Sequence, residues 1–316
     1  MQTILITGGT GTIGKALTKA LLEKEYDVII LTRNIQDKEL PGPYHTSRIN
    51  YATWNIEKQT IDPDAITKAD YIIHLAGAGV AEKRWTKKRK QEIINSRVDS
   101  GKLIVDSLKR IPNNVKAVIS ASAVGWYGPD PLSAGEGRGE AFEEDDPADE
   151  TFPGTTCKQW EESIEPVTRL GKRLVLLRTG IVLSNEGGAL VEFIKPLRFG
   201  VATILGSGKQ IISWIHIDDL VRIYIAAIEN STMKGVYNAV APQPVSNKEL
   251  ILQLAKIKRG RFFVPIHIPS FILKIGLGEM SIEVLKSATV SCSKIQVEGF
   301  TFLYPSLEAA LKQLLM

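Results

Sequence analysis

Short β-branched and leucine runs alternate with longer stretches in which apolar positions return every three or four residues, and this rhythm holds over the first 180 residues. It predicts strands over 4–6, 27–31, 48–54, 71–75, 117–120 and 173–177. It predicts helices over 15–24, 86–110 and 155–170. Runs such as YIIHL and RLVLL are apolar on both faces, so these strands are buried on both sides, in a parallel sheet between two helical layers. Right-handed crossovers make that arrangement a doubly wound α/β fold. Beyond residue 180 the elements shorten, with helices expected over 247–256 and 306–315, and a smaller C-terminal lobe follows from the change.

Residues 3–14, TILITGGTGTIG, carry the sharpest chemical signal. A strand runs into Gly8, Gly11 and Gly14 and resumes as a helix. Glycine at that spacing permits the tight turn, lets backbone amides approach a pyrophosphate, and allows close helix–strand packing. A diphosphate then rests on the partly positive helix N-terminus, with Thr10, Thr12 and Ile13 completing the loop. The expected fold is therefore Rossmann-like, with a dinucleotide-binding domain over 1–180 to which 208–240 return, and a substrate lobe from 181–207 and 241–316. An NAD site places a carboxylate at the end of the second strand. This chain has Thr32, Arg33 and Asn34, and Arg33 can pair with a 2′-phosphate that a carboxylate would repel. NADP(H) is expected, with NAD(H) as the alternative if Arg33 only faces solvent.

Composition narrows the rest. The formal net charge of +4 over 316 residues is too small and dispersed to indicate nucleic acid. Two cysteines offer no disulfide framework or metal-ligand spacing and suit a reducing cytoplasm. The chain enters its first strand at once, so no signal peptide is expected, and no apolar run approaches a membrane span. The four histidines are scattered, and no metal is expected. Residues 83–90, KRWTKKRK, hold six basic side chains in eight. Residues 136–150 hold eight carboxylates and a single arginine. Each is either a solvated surface or, at the sheet's carboxyl edge, a meeting point for an anionic substrate and a mobile cover over it.

The motifs TGGTGTIG, HLAG (74–77), SASAVGWYG (120–128), LRTGIVL and ISWIHIDDL (212–220) resemble the extended short-chain dehydrogenase/reductase superfamily over nearly the whole chain. More narrowly, KRW, SRV, CKQWE and the GEM…GF…YP series resemble its NAD-dependent epimerase/dehydratase group that ends in a domain of unknown function. The resemblance implies a nicotinamide dinucleotide in the larger lobe and substrate between the lobes. It carries Asn55 to the adenine position, Leu75, Ala76 and Gly77 to the cofactor edge, and Ser122 to the catalytic hydroxyl. Arg84, Trp85 and Arg97 fall in the substrate cleft. Homodimerisation through helices beside the sheet is an expectation of the same kind.

The match fails at the Tyr-x-x-x-Lys pair, whose spacing sets phenol and ammonium on one helix face. With Lys158 as the lysine, the tyrosine position is Gly154. Lys158 is then either the ribose-holding lysine or an ordinary exposed one, and Tyr127 is the nearest substitute phenol unless it is a packed aromatic. His216 with Asp218 and Asp219 reads as structural support between lobes in preference to a catalytic pair. Two functions follow: an epimerase or reductase for a sugar-type or other anionic carbonyl or alcohol compound, or a non-catalytic NADP(H)-binding redox sensor or scaffold.

Overall fold

A computed structural model describes residues 2–34, 47–130 and 141–315. The larger lobe is built on an eight-stranded sheet. Its strands begin with β1 (Thr3–Thr7), β2 (Asp27–Thr32), β3 (Ile49–Asn55), β4 (Thr60–Ile61), β5 (Tyr71–His74), β6 (Ala117–Ala123) and β7 (Arg173–Thr179). The chain then leaves through β8 (Ile181–Leu183), β9 (Val201–Leu205), β10 (Ile211–Ile212) and β11 (Trp214–His216) and returns with β12 (Gly235–Ala239). The sheet order is β12-β7-β6-β5-β1-β2-β3-β4, all parallel except the β3–β4 pair.

Successive residues of each central strand enter opposite cores, as the pleat requires. Ile4, Ile6, Val28 and Ile30 join α1 (Thr12–Glu23) on one face through Leu17 and Leu21. Leu5, Ile29 and Ile72 join α2 (Pro63–Lys68) and α3 (Lys87–Arg110) on the other through Ile66, Leu103 and Ile104. Ile164, at the end of α4 (Phe152–Ile164), completes the second face. Each such side chain contributes about 1.5–3 kcal/mol of burial, which is why runs without polar alternation were legible as strands.

The smaller lobe contains α5 (Ala189–Leu197), with β9 pairing the later strand β14 (Val264–Ile268) and β10 pairing β13 (Val245–Ser246). Between them α6 (Ile217–Glu229) packs Leu220, Ile223 and Tyr224 onto the large sheet. The helices α7 (Asn247–Arg259) and α8 (Ser270–Leu277) follow. The lobe's core gathers Leu190, Trp214, Leu250 and Leu254, closed by Leu311 of the final helix Leu307–Leu315. His216 belongs to this framework. Its Nδ1 accepts from the Asp218 amide at 3.1 Å, and its ring lies 3.9 Å from that of Tyr304. Asp219 accepts from the Leu303 and Tyr304 amides at 2.8 and 2.9 Å, anchoring the C-terminal segment.

Candidate functional site

The order reverses between β1 and β5, and the loops after β1, β2, β3 and β5 share the carboxyl edge where ligands bind in such sheets. Gly8 has φ +70°, and a Cβ there would lie 3.0 Å from the Leu75 carbonyl carbon. A Cβ at Gly14 would collide with the Gly8 carbonyl. The turn is fixed by the Gly11 amide donating to Gly8 O at 3.1 Å, and Gly11 caps α1. Thr10 is exposed, Thr12 and Ile13 half-buried. These residues form a cradle that side chains at Gly8 and Gly14 would fill, and the donor set fits a diphosphate.

Thr7 ties this loop to the next. Its Oγ1 accepts from the Leu75 and Ala76 amides at 3.1 Å each, which leaves its proton for His74 Nδ1 at 2.8 Å. His74 Nε2 therefore carries the hydrogen and faces Ser100 Oγ at 3.3 Å. Complete burial lowers the His74 pKa to about 3, so the ring is neutral. Leu75, Ala76 and the exposed Gly77 consequently present backbone to the edge.

At the other end of the edge a depression of about 550 Å³ is lined by Arg33, Asn55, Lys58 and Asp62 among others. Arg33 and Lys58 are exposed, and Thr32 Oγ1 donates to Asn34 O at 3.0 Å. The Asp62 carboxylate is occupied in capping α2 through the Asp64 amide. Asn55 Oδ1 accepts from the Lys58 amide at 2.9 Å, so the oxygen expected to face adenine already holds a turn. Lys58 was missed in the sequence because a lone lysine in a turn looks like any solvated one.

Of the expected catalytic residues, Ser122 and Tyr127 meet only through the buried Glu161–Arg178 pair, and Lys158 stands apart. Ser122 is 3% exposed and donates to Glu161 Oε1 at 2.6 Å. Glu161 in turn receives Arg178 at 2.9 and 3.0 Å through both carboxylate oxygens. Tyr127 is fully buried, stacked on Phe142 at 5.1 Å, and donates to Asn238 Oδ1 at 2.7 Å while accepting from Arg178 at 3.1 Å. Burial pushes its phenol up to about 12. The catalytic expectation for Tyr127 is therefore corrected: a phenol enclosed on all sides cannot touch a substrate. Lys158 is exposed on α4 with no side-chain partner among the described residues. At Gly154 a Cβ would fall on the Asp149 carbonyl oxygen, so the missing tyrosine has no room to exist. Cys157 is buried, with its thiol raised to about 12 by desolvation.

The cleft residues divide. Arg97 donates to Ala78 O and Ile93 O at 3.0 Å each and sits over the Trp160 ring at 4.9 Å. A Cβ at Gly77 would lie 2.9 Å from its guanidinium carbon, so Arg97 underlies the cofactor edge directly. No carboxylate lies within ion-pair distance of it among the described residues, and burial lowers its pKa. Trp85 donates to Val80 O at 2.8 Å and packs edge-on to Phe152 at 4.8 Å. Arg84 reaches the small lobe, donating to Ile275 O at 3.1 Å, and Lys90 pairs with Glu279 there. The basic run is not one solvated face, because Arg89 is buried and binds Gly79 O, Glu82 and Glu92.

The acidic run is also corrected. Residues 136–140 lie outside the described residues. In 141–150 the Phe142 amide donates to Thr289 O at 2.8 Å, Glu144 Oε1 accepts from the Asn238 amide at 2.7 Å, and the Asp149 amide donates to Trp126 O at 2.8 Å. That part is clamped onto the large lobe by these bonds and by Phe142 packing on its core, against the expectation of a mobile cover.

The sequence comparisons agree with this edge. Residues 4–239 match the NAD dependent epimerase/dehydratase family. The chain belongs to that family. Residues 268–314 match a domain of unknown function, DUF1731. An epimerase family protein of Staphylococcus saprophyticus is 36% identical over 316 residues, spanning 99% of each chain. The human epimerase family protein SDR39U1, solved with NADPH, superposes with a TM-score of 0.84 at 29% identity, covering 99% of each chain. A nucleoside-diphosphate sugar epimerase of Corynebacterium glutamicum superposes with a TM-score of 0.75 at 29% identity over 99% of this chain and 58% of that one. Membership makes this an extended short-chain dehydrogenase-type protein that binds a nicotinamide dinucleotide. No helix among the described residues is long and apolar enough to cross a membrane.

Proposed function

We propose that this chain is an NADP(H)-dependent reductase or epimerase acting on a small anionic carbonyl compound or secondary alcohol. The observation that carries the reading is the pair of exposed cations, Arg33 and Lys58, on one depression beyond β2 and β3, where the one lining carboxylate among the described residues, Asp62, is turned to capping a helix. A 2′-phosphate fits two cations and not a carboxylate. The NADPH bound to the human relative supports the same choice. Gly8, Thr10, Gly11, Thr12, Ile13 and Gly14 hold the diphosphate. Thr32, Arg33 and Asn55 take the adenosine end, while Leu75, Ala76, Gly77 and Lys158 border the nicotinamide half. When bound, the nicotinamide supplies or accepts a hydride. Arg97, with no acid partner among the described residues, supports the Gly77 end of the cofactor edge, and Arg84 and Trp85 line the cleft by which a substrate would enter.

Calorimetric titration with NADPH and NADH tests the cofactor reading. Micromolar NADPH binding is expected, weakened about 10-fold by Arg33→Ala and by Lys58→Ala, with NADH affinity unchanged. Equal binding of both dinucleotides, insensitive to either substitution, would overturn it. One observation favours a second reading, a redox-sensing or scaffolding protein without turnover. Tyr127 is enclosed and Gly154 is blocked, so the superfamily's proton-handling phenol is absent. NADPH binding without oxidation by any of a panel of anionic carbonyl compounds would select that reading.

A further inference from the structure

The lobes flank a second, open cavity of about 350 Å³, beside the N-terminal end of α4. Pro129, Asp149 and Thr151 form the large-lobe wall, and Lys274, Ile282 and Leu285 the opposite one. Its polar wall atoms are largely spent on one another. Thr151 donates from Oγ1 and, at 3.0 Å, from its amide to Asp149 Oδ2. Ser281 Oγ donates to Gly278 O at 2.6 Å. Lys286 is only 8% exposed, donates to Tyr127 O at 3.0 Å and pairs with Glu283 at 2.9 Å. Lys274 is different: it is exposed and has no ion-pair partner among the described residues.

The remaining surface is apolar and open. Ile282 is 55% exposed in the cavity wall, and Phe271, one helical turn before Lys274, is 63% exposed. Pro129, Ile282 and Leu285 can remove an apolar body from water, and Lys274 offers one charge-assisted hydrogen bond at the rim. A sugar ring needs several partners, and each hydroxyl buried without one costs about 10-fold in affinity. We infer that this cavity takes an amphiphilic anion, an acyl or aromatic body bearing a carboxylate, as the substrate class of the proposed reaction. The inference rests on the oxidoreductase reading above for calling the ligand a substrate, on the cavity's place at the Asp149–Thr151 turn that overlies Gly154 of α4, and on the wall chemistry for the ligand class.

The test is calorimetry with 2-naphthoate, its neutral amide 2-naphthamide, and UDP-glucose, on protein loaded with NADPH. Binding of 2-naphthoate is expected, with 2-naphthamide about 10-fold weaker. Lys274→Ala should abolish that difference, and Ile282→Asp should weaken 2-naphthoate by about 10-fold or more. Both positions are exposed, and retained NADPH affinity in each variant reports an intact fold. No 2-naphthoate binding at millimolar concentration, tighter binding of UDP-glucose, or indifference to both substitutions would overturn the inference. If NADPH itself fails to bind, the cofactor reading falls instead, and the same titrations on cofactor-free protein still decide what the cavity holds.

Discussion

His74 couples the fold to pH through a single ring. It is completely buried between Thr7 and Ser100, and desolvation holds its pKa near 3 against an ordinary 6.5. Because the folded value lies below the unfolded one, the unfolded chain takes up the proton first as pH falls. This contribution is full above about pH 6.5 and is lost towards pH 3, at up to about 1.4 kcal/mol per pH unit. Urea denaturation at pH 7, 5.5 and 4 should therefore show a steeper loss of stability for the native chain than for His74→Gln. Parallel slopes would show that the ring carries no such coupling. The same residue sets the backbone of the cofactor edge, since Thr7 can hold the Leu75 and Ala76 amides only while it donates to a neutral imidazole.

Helix α4 departs from the Tyr-x-x-x-Lys pattern at Gly154. Its first turn is overlaid by the segment ending at Asp149, which is pinned to Trp126 O and bends back through Thr151. Gly154 is the only residue type that lets this segment lie so close, because any Cβ would meet the Asp149 carbonyl. Gly154→Ala should lower stability by about 1–3 kcal/mol, and Gly154→Tyr should do so by more without creating a catalytic phenol. Thermal denaturation with and without NADPH measures both. A stable, active Gly154→Tyr protein would show that the segment yields easily and that the tyrosine position is merely vacant. Trp160 and Glu161, further along the same helix, turn inward to Arg97 and Arg178, so α4 serves the core and the cleft together.

Across the whole molecule, Arg178 is the central tie. From β7 it reaches Glu161 on α4, Tyr127 after β6 and the Glu144 carbonyl in the acidic segment, with its guanidinium 3.6 Å from the Trp126 ring centroid. Tyr127 extends the chain of contacts to Asn238 on β12. Buried ion pairs add little over an apolar replacement, but removing one partner strands the other charge. Arg178→Met should thus cost about 3–5 kcal/mol, and the double change Arg178→Met with Glu161→Leu considerably less than the sum of the two singles. Equal, additive losses in denaturant melts would show that the pair is not a unit. Loosening this tie should also free the clamped acidic segment and raise its proteolytic sensitivity, while the distant Arg33–Lys58 depression keeps its affinity for NADPH.

The sheet, its two covering layers and nicotinamide-dinucleotide binding could be read from the chain, because each depends on local patterning. Continuous apolar runs dictate buried parallel strands, and glycines between a strand and a helix dictate a phosphate turn. The family resemblance likewise rested on contiguous motifs. The fate of single side chains could not be read in this way. Tyr127, Ser122 and Arg178 lie 5 to 56 positions apart in sequence, and only packing of β6, β7, α4 and β12 showed that they form a closed buried network. The basic and acidic runs looked uniform because sequence carries charge without depth, yet Arg89 is buried and Glu144 is clamped. The apolar cavity was invisible for the same reason: its two walls come from segments more than 120 residues apart, and only tertiary structure brings them face to face.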